Sequence, residues 1–579
     1  MNNSIKKISC DVLVVGSGAA GLRCAIEAFE RGTNVLIVGK SRFGDAHTKL
    51  AAGGINAALA VQDKRDSWQV HAADTFEEGG KIANPEMVEV LAKNAPQAIW
   101  ELLGWGVSFA RSKEGKILQR VYGAQTYPRT CYVGDYTGRA ILGALVKKTK
   151  KLGIKQMDSV YITQLFKKNG QVAGCFGIDF KRGEFVAFFA KSVVIAMGGY
   201  SRLYKSSSSR QFENMGYGCY LALKNGLALV DMEMVQFHPT GMTHPPSAVG
   251  KLVTEAVRSE GAKLFNAKEE RLMQKYSPKM LELSARDVVA RAVFMEIFAG
   301  RGTKNRGVWL DVTHVPLSQI MGRLPDTWNQ FKKYQGLDIS KQRMEVSPTA
   351  HYSMGGVAVD PADTSTELVG LFACGEVTGG LHGGNRLGGN SLAETIVFGK
   401  IAGKNASDFA KQNGQVVVEE KMADSFKKEI ESLFKNGSEK PQKLRAMLQE
   451  TMWECAGVIR DGKKLKEGLV RLKEISEKLK SVGVKSSLKK NNELVVSLDL
   501  ISLVLVGKAV LESALLRTES RAAHYRSDFT KTTEKWRQNI FCRLEGGKLV
   551  LSKKPVPKGS SEFEETMKKH FDRKFGLWE

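Results

Sequence analysis

The sequence predicts an α/β fold: a discontinuous, Rossmann-like nucleotide-binding domain carrying an inserted α+β segment, then a helical domain and a small C-terminal tail. Three observations predict it. A short apolar run at residues 11–15 leads into Gly16-Ser17-Gly18-Ala19-Ala20-Gly21, after which Leu22, Ala25, Ile26 and Phe29 recur at helical spacing. Two further apolar runs, 191–199 and 371–375, lie far apart in sequence, yet each ends in glycine. Near Val418 the composition shifts to Lys/Glu-rich helical patterning, which continues through Leu516.

Taken in order, residues 1–238 read as the first part of the binding domain. A buried parallel strand at 11–15, a helix starting at the glycines and a second strand at 34–38 make one βαβ unit. Gly16 allows the turn, Gly18 lets a pyrophosphate approach, and Gly21 allows helix–strand packing. The helix N-terminus, at the glycines with Ala19 among them, then faces the phosphates. An acidic residue commonly follows the second strand to hold a ribose. Here the chain reads Gly39-Lys40-Ser41, so other groups hold the ribose or Lys40 and Ser41 contact the dinucleotide differently. Residues 239–350 read as the inserted, capping segment and 351–417 as the second part of the binding domain. Residues 418–530 read as helical, and 531–579 as a tail of short strands and polar coil.

At 579 residues the chain is too long for one simple core. Its 42% hydrophobic content excludes a disordered chain. The net charge of +25, concentrated in part over residues 421–490, fits a solvated basic exterior, an acidic partner or membrane surface, or an anionic substrate. No basic-plus-aromatic module indicates nucleic-acid binding. The eight cysteines are scattered with no C-x-x-C pair, which argues against a metal or cluster site in this chain and fits a reducing compartment. The first seven residues are short and polar without a signal-peptide pattern. No apolar run reaches the ~18 residues of a membrane span. The chain is therefore expected to be cytoplasmic, or held peripherally on the cytoplasmic face of a membrane through partners.

The most informative stretch is Leu381-His382-Gly383-Gly384-Asn385-Arg386-Leu387-Gly388-Gly389-Asn390-Ser391-Leu392. Glycines at this density let backbone approach a ligand closely. An arginine set among them is a planar fork suited to a carboxylate. With the N-terminal fingerprint, this points to a flavin site whose substrate carries carboxylates.

With several other stretches, that motif resembles the flavoprotein subunit of succinate dehydrogenase and fumarate reductase over nearly the whole length. The other carriers are Ala46-His47-Thr48 with Gly53-Gly54, Asp231 through Gly241, Thr254-Glu255 with Arg258, Ser284-Ala285-Arg286-Asp287, Thr349-Ala350-His351-Tyr352, and Glu519 through Arg526. The resemblance implies FAD, linked covalently through His47, with Thr48, Gly53, Gly54, Asp231, Glu376, Ser391 and Leu392 around it and His382 near the flavin ring. It implies that His238, Thr254, His351 and Arg386 bind the carboxylates of a C4 dicarboxylate. It further implies that Arg286 is the proton shuttle, fed by Glu255 and Arg258. On the residues alone, an Arg286–Asp287 ion pair would be the simpler reading. The implied reaction is the flavin-dependent interconversion of succinate and fumarate. The implied partners are an iron–sulfur protein subunit, together with a membrane anchor. L-aspartate oxidase and a fumarate reductase coupled to thiol oxidation are the competing readings. The segment Tyr122-Gly123-Ala124-Gln125 lacks the acid expected of the oxidase.

Overall fold

The computed structural model describes residues 5–578, with side-chain surroundings described through residue 570. Its main sheet has seven strands. Six are β1 (Lys6–Val15), β2 (Val35–Gly39), β3 (Lys155–Asp158), β4 (Val160–Lys168), β5 (Gln171–Asp179) and β6 (Glu184–Ile195). Their order is β3-β2-β1-β6-β5-β4. The pairs β3–β2, β2–β1 and β1–β6 are parallel, whereas β5 and β4 continue the sheet as an antiparallel meander. Successive residues of a strand point to opposite faces. Accordingly Leu13 and Val15 join one hydrophobic cluster and Val12 and Val14 another, on the two sides of β1. Helix α1 (Ala19–Glu30) starts directly after the glycine turn. Gly21 is required there: a Cβ would stand 2.0 Å from the Gly16 carbonyl oxygen.

The inserted segment builds its own sheet. Strands β7 (Val235–Met242), β8 (Lys263–Phe265), β9 (Val308–Asp311) and β10 (Met344–Ser353) run in the order β7-β10-β9-β8, all antiparallel. Helix α2 (Arg286–Glu296) packs on this sheet, and a separate cluster from Met242 to Val346 forms its core. The chain then returns to the main sheet as β11 (Leu371–Ala373), parallel to β6, and enters α3 (Asn390–Gln412).

Four helices follow: α4 (Glu420–Glu431), α5 (Pro441–Ala456), α6 (Gly462–Leu479) and α7 (Asn492–Leu516). Helix α7 corrects the expectation that no apolar segment is as long as a membrane span. It is one helix of 25 residues, long and apolar enough to cross a bilayer. A helix apolar on every side is either a core helix or a span. Here 72% of its most apolar window is buried within the protein. Its buried Asp499 accepts from Lys40 Nζ at 2.7 Å and Tyr161 hydroxyl at 2.8 Å, and Ser502 donates to the Met215 carbonyl at 2.8 Å. Leu503 is fully buried in the same cluster. Leu503→Ala should therefore cost about 2–5 kcal/mol, read as an earlier first unfolding transition in urea.

The C-terminal tail is also corrected. Beyond the hairpin β12 (Gln538–Glu545) and β13 (Lys548–Pro555), residues expected as coil form helix α8 (Ser561–Trp578). Phe563 and Met567 are buried there, and Phe563 meets Phe76 edge-on at 5.2 Å. Apolar residues four apart lie on one helix face, a spacing visible in the sequence.

Candidate active site

One continuous cavity joins the two regions that the sequence singled out. It is lined by Gly16, Gly18 and Ala19 at the start of α1, by Lys40 and Ser41 after β2, and by His47, Thr48, Gly53 and Gly54. It continues past Glu376, Ser391 and Leu392 to His238, Thr254, Glu255, Arg286, His351 and Arg386. At one end the α1 N-terminus offers backbone N–H groups that have no intrahelical partner, suited to phosphates. Lys40 lines this end while holding Asp499, so its charge is shared between α7 and the cavity.

The middle of the cavity fits a flavin dinucleotide. The Thr48 hydroxyl accepts from Ala19 N at 3.2 Å, tying the His47 loop to α1. His47 lines the cavity, and its Nδ1 is buried with no hydrogen-bond partner among the described residues. Burial first, then Arg202 and Arg210, push its pKa down to about 4, so the imidazole is neutral. Glu376 accepts from Ser353 N (3.1 Å), Ser353 Oγ (3.2 Å) and Asn214 Nδ2 (3.2 Å). A Cβ on Gly199 would come within 2.5 Å of Glu376 Oε1, so this glycine makes room for the carboxyl. Burial raises the Glu376 pKa to about 8. A carboxyl protonated at neutral pH can donate a hydrogen bond, for instance to a ribityl hydroxyl. Because the folded pKa lies above the unfolded one, stability is full below about pH 4.5 and is lost as pH rises towards 8. Glu376→Gln should flatten that slope, measured by urea denaturation of protein produced without flavin.

At the far end the sheet of the inserted segment sets the polar groups. Strand β7 carries Gln236 and His238, and β10 carries His351 and Tyr352, with Gln236 opposite Tyr352. The two imidazole rings stand 5.2 Å apart. Ser208 Oγ lies 2.8 Å from His351 Nδ1, and Thr240 holds His238 Nδ1 at 3.2–3.3 Å. Burial, followed by Arg286 for His238 and Arg386 for His351, drives both pKa values well below the ordinary range. Both rings are therefore neutral hydrogen-bonding groups at pH 7.

Arg286, the first residue of α2, is gripped on one edge by Glu255. Nε and Nη2 both reach Glu255 Oε2, at 2.7 and 2.5 Å. Arg258 Nη2 lies 3.5 Å from the other carboxylate oxygen. Burial would raise the Glu255 pKa, but Arg286 and Arg258 outweigh it and hold the carboxyl below its usual value. Arg386 lies 4.6 Å over the Tyr352 ring, and burial together with Arg286 pushes its pKa down to about 9. Three buried guanidiniums thus face one carboxylate, and a dianion would balance them.

Gln236 was not singled out by sequence. Its Oε1 accepts from Arg286 Nη1 at 3.0 Å and from Arg386 Nη2 at 2.9 Å. Its Nε2 donates to the Arg386 carbonyl at 2.8 Å. One amide therefore fixes both arginines relative to each other. Its place two residues before His238 on one strand was the available signal.

Four expected residues lie off the cavity wall. Asp231 is buried against the C-terminal hairpin, accepting from Asn539 Nδ2 (2.6 Å), Ile540 N (2.9 Å) and Arg517 Nη2 (3.4 Å). His382 Nε2 lies 3.1 Å from Glu394. Arg258 stands behind Glu255, and Gly21 serves helix packing. The simpler Arg286–Asp287 pair does not form; Asp287 instead accepts from Asn385 (3.1 Å) and faces Arg291 (3.8 Å).

Residues 11–392 match the family described as FAD binding domain, and residues 445–569 match Fumarate reductase flavoprotein C-term. The chain is 42% identical to a chain of the CoM/CoB fumarate reductase of Methanothermobacter marburgensis, over 92% of this chain and 96% of that one. It is 36% identical to the succinate dehydrogenase flavoprotein subunit of Rickettsia bellii, over 94% and 95%. Among solved structures it is similar to Sdh1 of Mycobacterium smegmatis, with a TM-score of 0.87 and 39% identity over 98% of this chain and 97% of that one. With an FAD-binding domain spanning most of the chain and relatives matched end to end, this protein belongs to the succinate dehydrogenase and fumarate reductase flavoprotein family and is an oxidoreductase.

Proposed function

We propose that the chain interconverts succinate and fumarate, binding the dicarboxylate between the inserted segment and the FAD domain. The observation that carries this reading is the far end of the cavity, where Arg286 and Arg386 line the wall and Arg258 stands behind them, three buried guanidiniums around the ionised carboxylate of Glu255. A C4 dicarboxylate supplies the two missing negative charges. His238, Thr254, His351 and Arg386 bind and orient its carboxylates, a donor set matched to four acceptor oxygens. FAD, covalently attached through His47, supplies the hydride acceptor for succinate oxidation and the hydride donor for fumarate reduction.

Arg286 gives or takes the proton at the neighbouring carbon. Arginine is ordinarily too weak an acid for this. Glu255, in contact with Arg286, takes the proton from it in succinate oxidation and, once protonated through the relay that Arg258 continues, returns one to it in fumarate reduction. Donors preset around the charge that develops in the transition state lower the barrier without reorganisation. The inserted segment, which contributes Thr254, Glu255, Arg258 and Arg286, closes water out of the site.

Electrons pass to or from a partner protein bearing iron–sulfur clusters, since no cluster-type cysteine spacing is present in this chain. That partner, with a membrane anchor, would hold the protein on the cytoplasmic face of a membrane. The 42% identity to a chain of the CoM/CoB fumarate reductase favours a second reading of the direction: fumarate reduction driven by thiol oxidation on a partner.

Anaerobic visible spectroscopy of the FAD-loaded protein tests the substrate. Succinate should bleach the flavin band, or fumarate should reoxidise dithionite-reduced flavin, while L-aspartate does neither. Bleaching by aspartate alone would move the protein to the oxidase reading.

A further inference from the structure

Tyr122 lines the cavity and is 2% exposed, yet its hydroxyl makes no hydrogen bond of standard geometry among the described residues. Its backbone is firmly placed. Tyr122 N donates to Gln125 Oε1 at 2.9 Å, and the next amide, Gly123 N, donates to Glu255 Oε1 at 3.0 Å. The phenol is thus rooted in the same carboxylate that holds Arg286.

Two glycines clear its path. A Cβ on Gly388 would stand 3.1 Å from Tyr122 Cδ2, 3.1 Å from Arg286 Nη2 and 3.0 Å from Glu255 Oε2. A Cβ on Gly53 would meet the hydroxyl itself at 2.7 Å. The ring therefore runs from the Arg286–Glu255 pair across to Gly53, with its hydroxyl against that glycine. Burial pushes the phenol pKa up to about 12 against the pull of Arg120, whose guanidinium lies near enough to donate to the phenol oxygen, so the proton stays on the oxygen and still lacks an acceptor. Arg120 brings two further buried nitrogens, Nε and Nη1, that have no partner among the described residues. A buried hydroxyl without an acceptor is costly where phenylalanine would serve as well for packing. This local excess of donors calls for an acceptor that arrives with the ligand.

We infer that the Tyr122 hydroxyl donates a hydrogen bond to a carboxylate of the bound dicarboxylate, making Tyr122 a substrate-positioning residue beside His238, Thr254, His351 and Arg386. The inference rests on the dicarboxylate reading of the site. Hydrogen bonds to charged groups are the stronger ones, so removing this one should weaken ligand binding about tenfold or more.

Tyr122→Phe in the FAD-loaded protein tests it, because the change removes one oxygen and keeps the ring. The Kd of malonate, a dicarboxylate that is not turned over, is read from its perturbation of the flavin spectrum, and KM and kcat are measured with fumarate. The expected result is a rise of about tenfold in malonate Kd and fumarate KM, a smaller change in kcat, and an unaltered spectrum of ligand-free flavin. Unchanged Kd and KM in an active protein would overturn the inference and leave the proposed function standing. A shifted ligand-free spectrum with unchanged Kd would also overturn it, by turning the hydroxyl to the cofactor. A wild-type protein that binds neither malonate nor fumarate would overturn both.

Discussion

Arg286→Lys is expected to lower kcat for both succinate oxidation and fumarate reduction by about 10³-fold or more, while the protein still binds FAD and malonate. The magnitude follows from the role: a positioned proton donor contributes about 10²–10⁴-fold. Lysine keeps the charge but cannot keep the geometry. Arg286 contacts Glu255 through Nε and Nη2 and Gln236 through Nη1, a planar three-atom fork. An ammonium is a point charge that cannot hold both partners and also face the substrate. Glu255→Gln should give a similar loss, since the amide can neither take the proton from Arg286 nor return it. Stopped-flow reduction of the flavin by succinate separates the chemical step from electron exit. Retention of a tenth of wild-type kcat by Arg286→Lys would remove Arg286 from the proton-transfer role.

His47→Ser should release the flavin on acid or detergent denaturation, seen as loss of in-gel fluorescence, while the native protein still binds FAD. The native cavity keeps its other holds: the α1 N-terminus, Glu376 and Ser391. The imidazole is prepared for attachment, being neutral with its Nδ1 free of hydrogen bonds among the described residues. Loss of the link lowers the flavin potential, and a drop of about 30 mV already shifts a two-electron equilibrium tenfold. Succinate should therefore reduce the variant at least tenfold less completely, whereas fumarate still oxidises dithionite-reduced flavin. Flavin that is freed equally from wild type and variant would sink the covalent assignment.

Much of this site was legible in the sequence because its demands are local. Glycines at 16, 18 and 21 answer to a turn and a helix start within one short segment. His238, His351 and Arg386 each sit in a compact stretch whose residue types suit a carboxylate. Other features depend on partners distant in sequence. Asp231 stands five residues before Gln236, yet it is claimed by Arg517, Asn539 and Ile540. His382 lies in the most informative stretch and turns to Glu394 instead of the cavity. The apolar length of α7 was underestimated because Asp499, Ser502 and Lys508 interrupt the run, although on a helix they do not interrupt its burial.

By itself, the sequence determined the fold class and the glycine-rich stretches that meet at the cavity. These follow from backbone freedom, periodicity and side-chain type, which act over a few residues. Only the tertiary structure decided that the two ends form one cavity, and that Gln236 clamps Arg286 to Arg386. It also decided that Arg286 pairs with Glu255 and not with its neighbour Asp287. Those outcomes depend on which buried charges and donors meet after distant segments pack. Low-dielectric surroundings make such pairings costly to leave unmade, and no spacing along the chain records which partner each group will find.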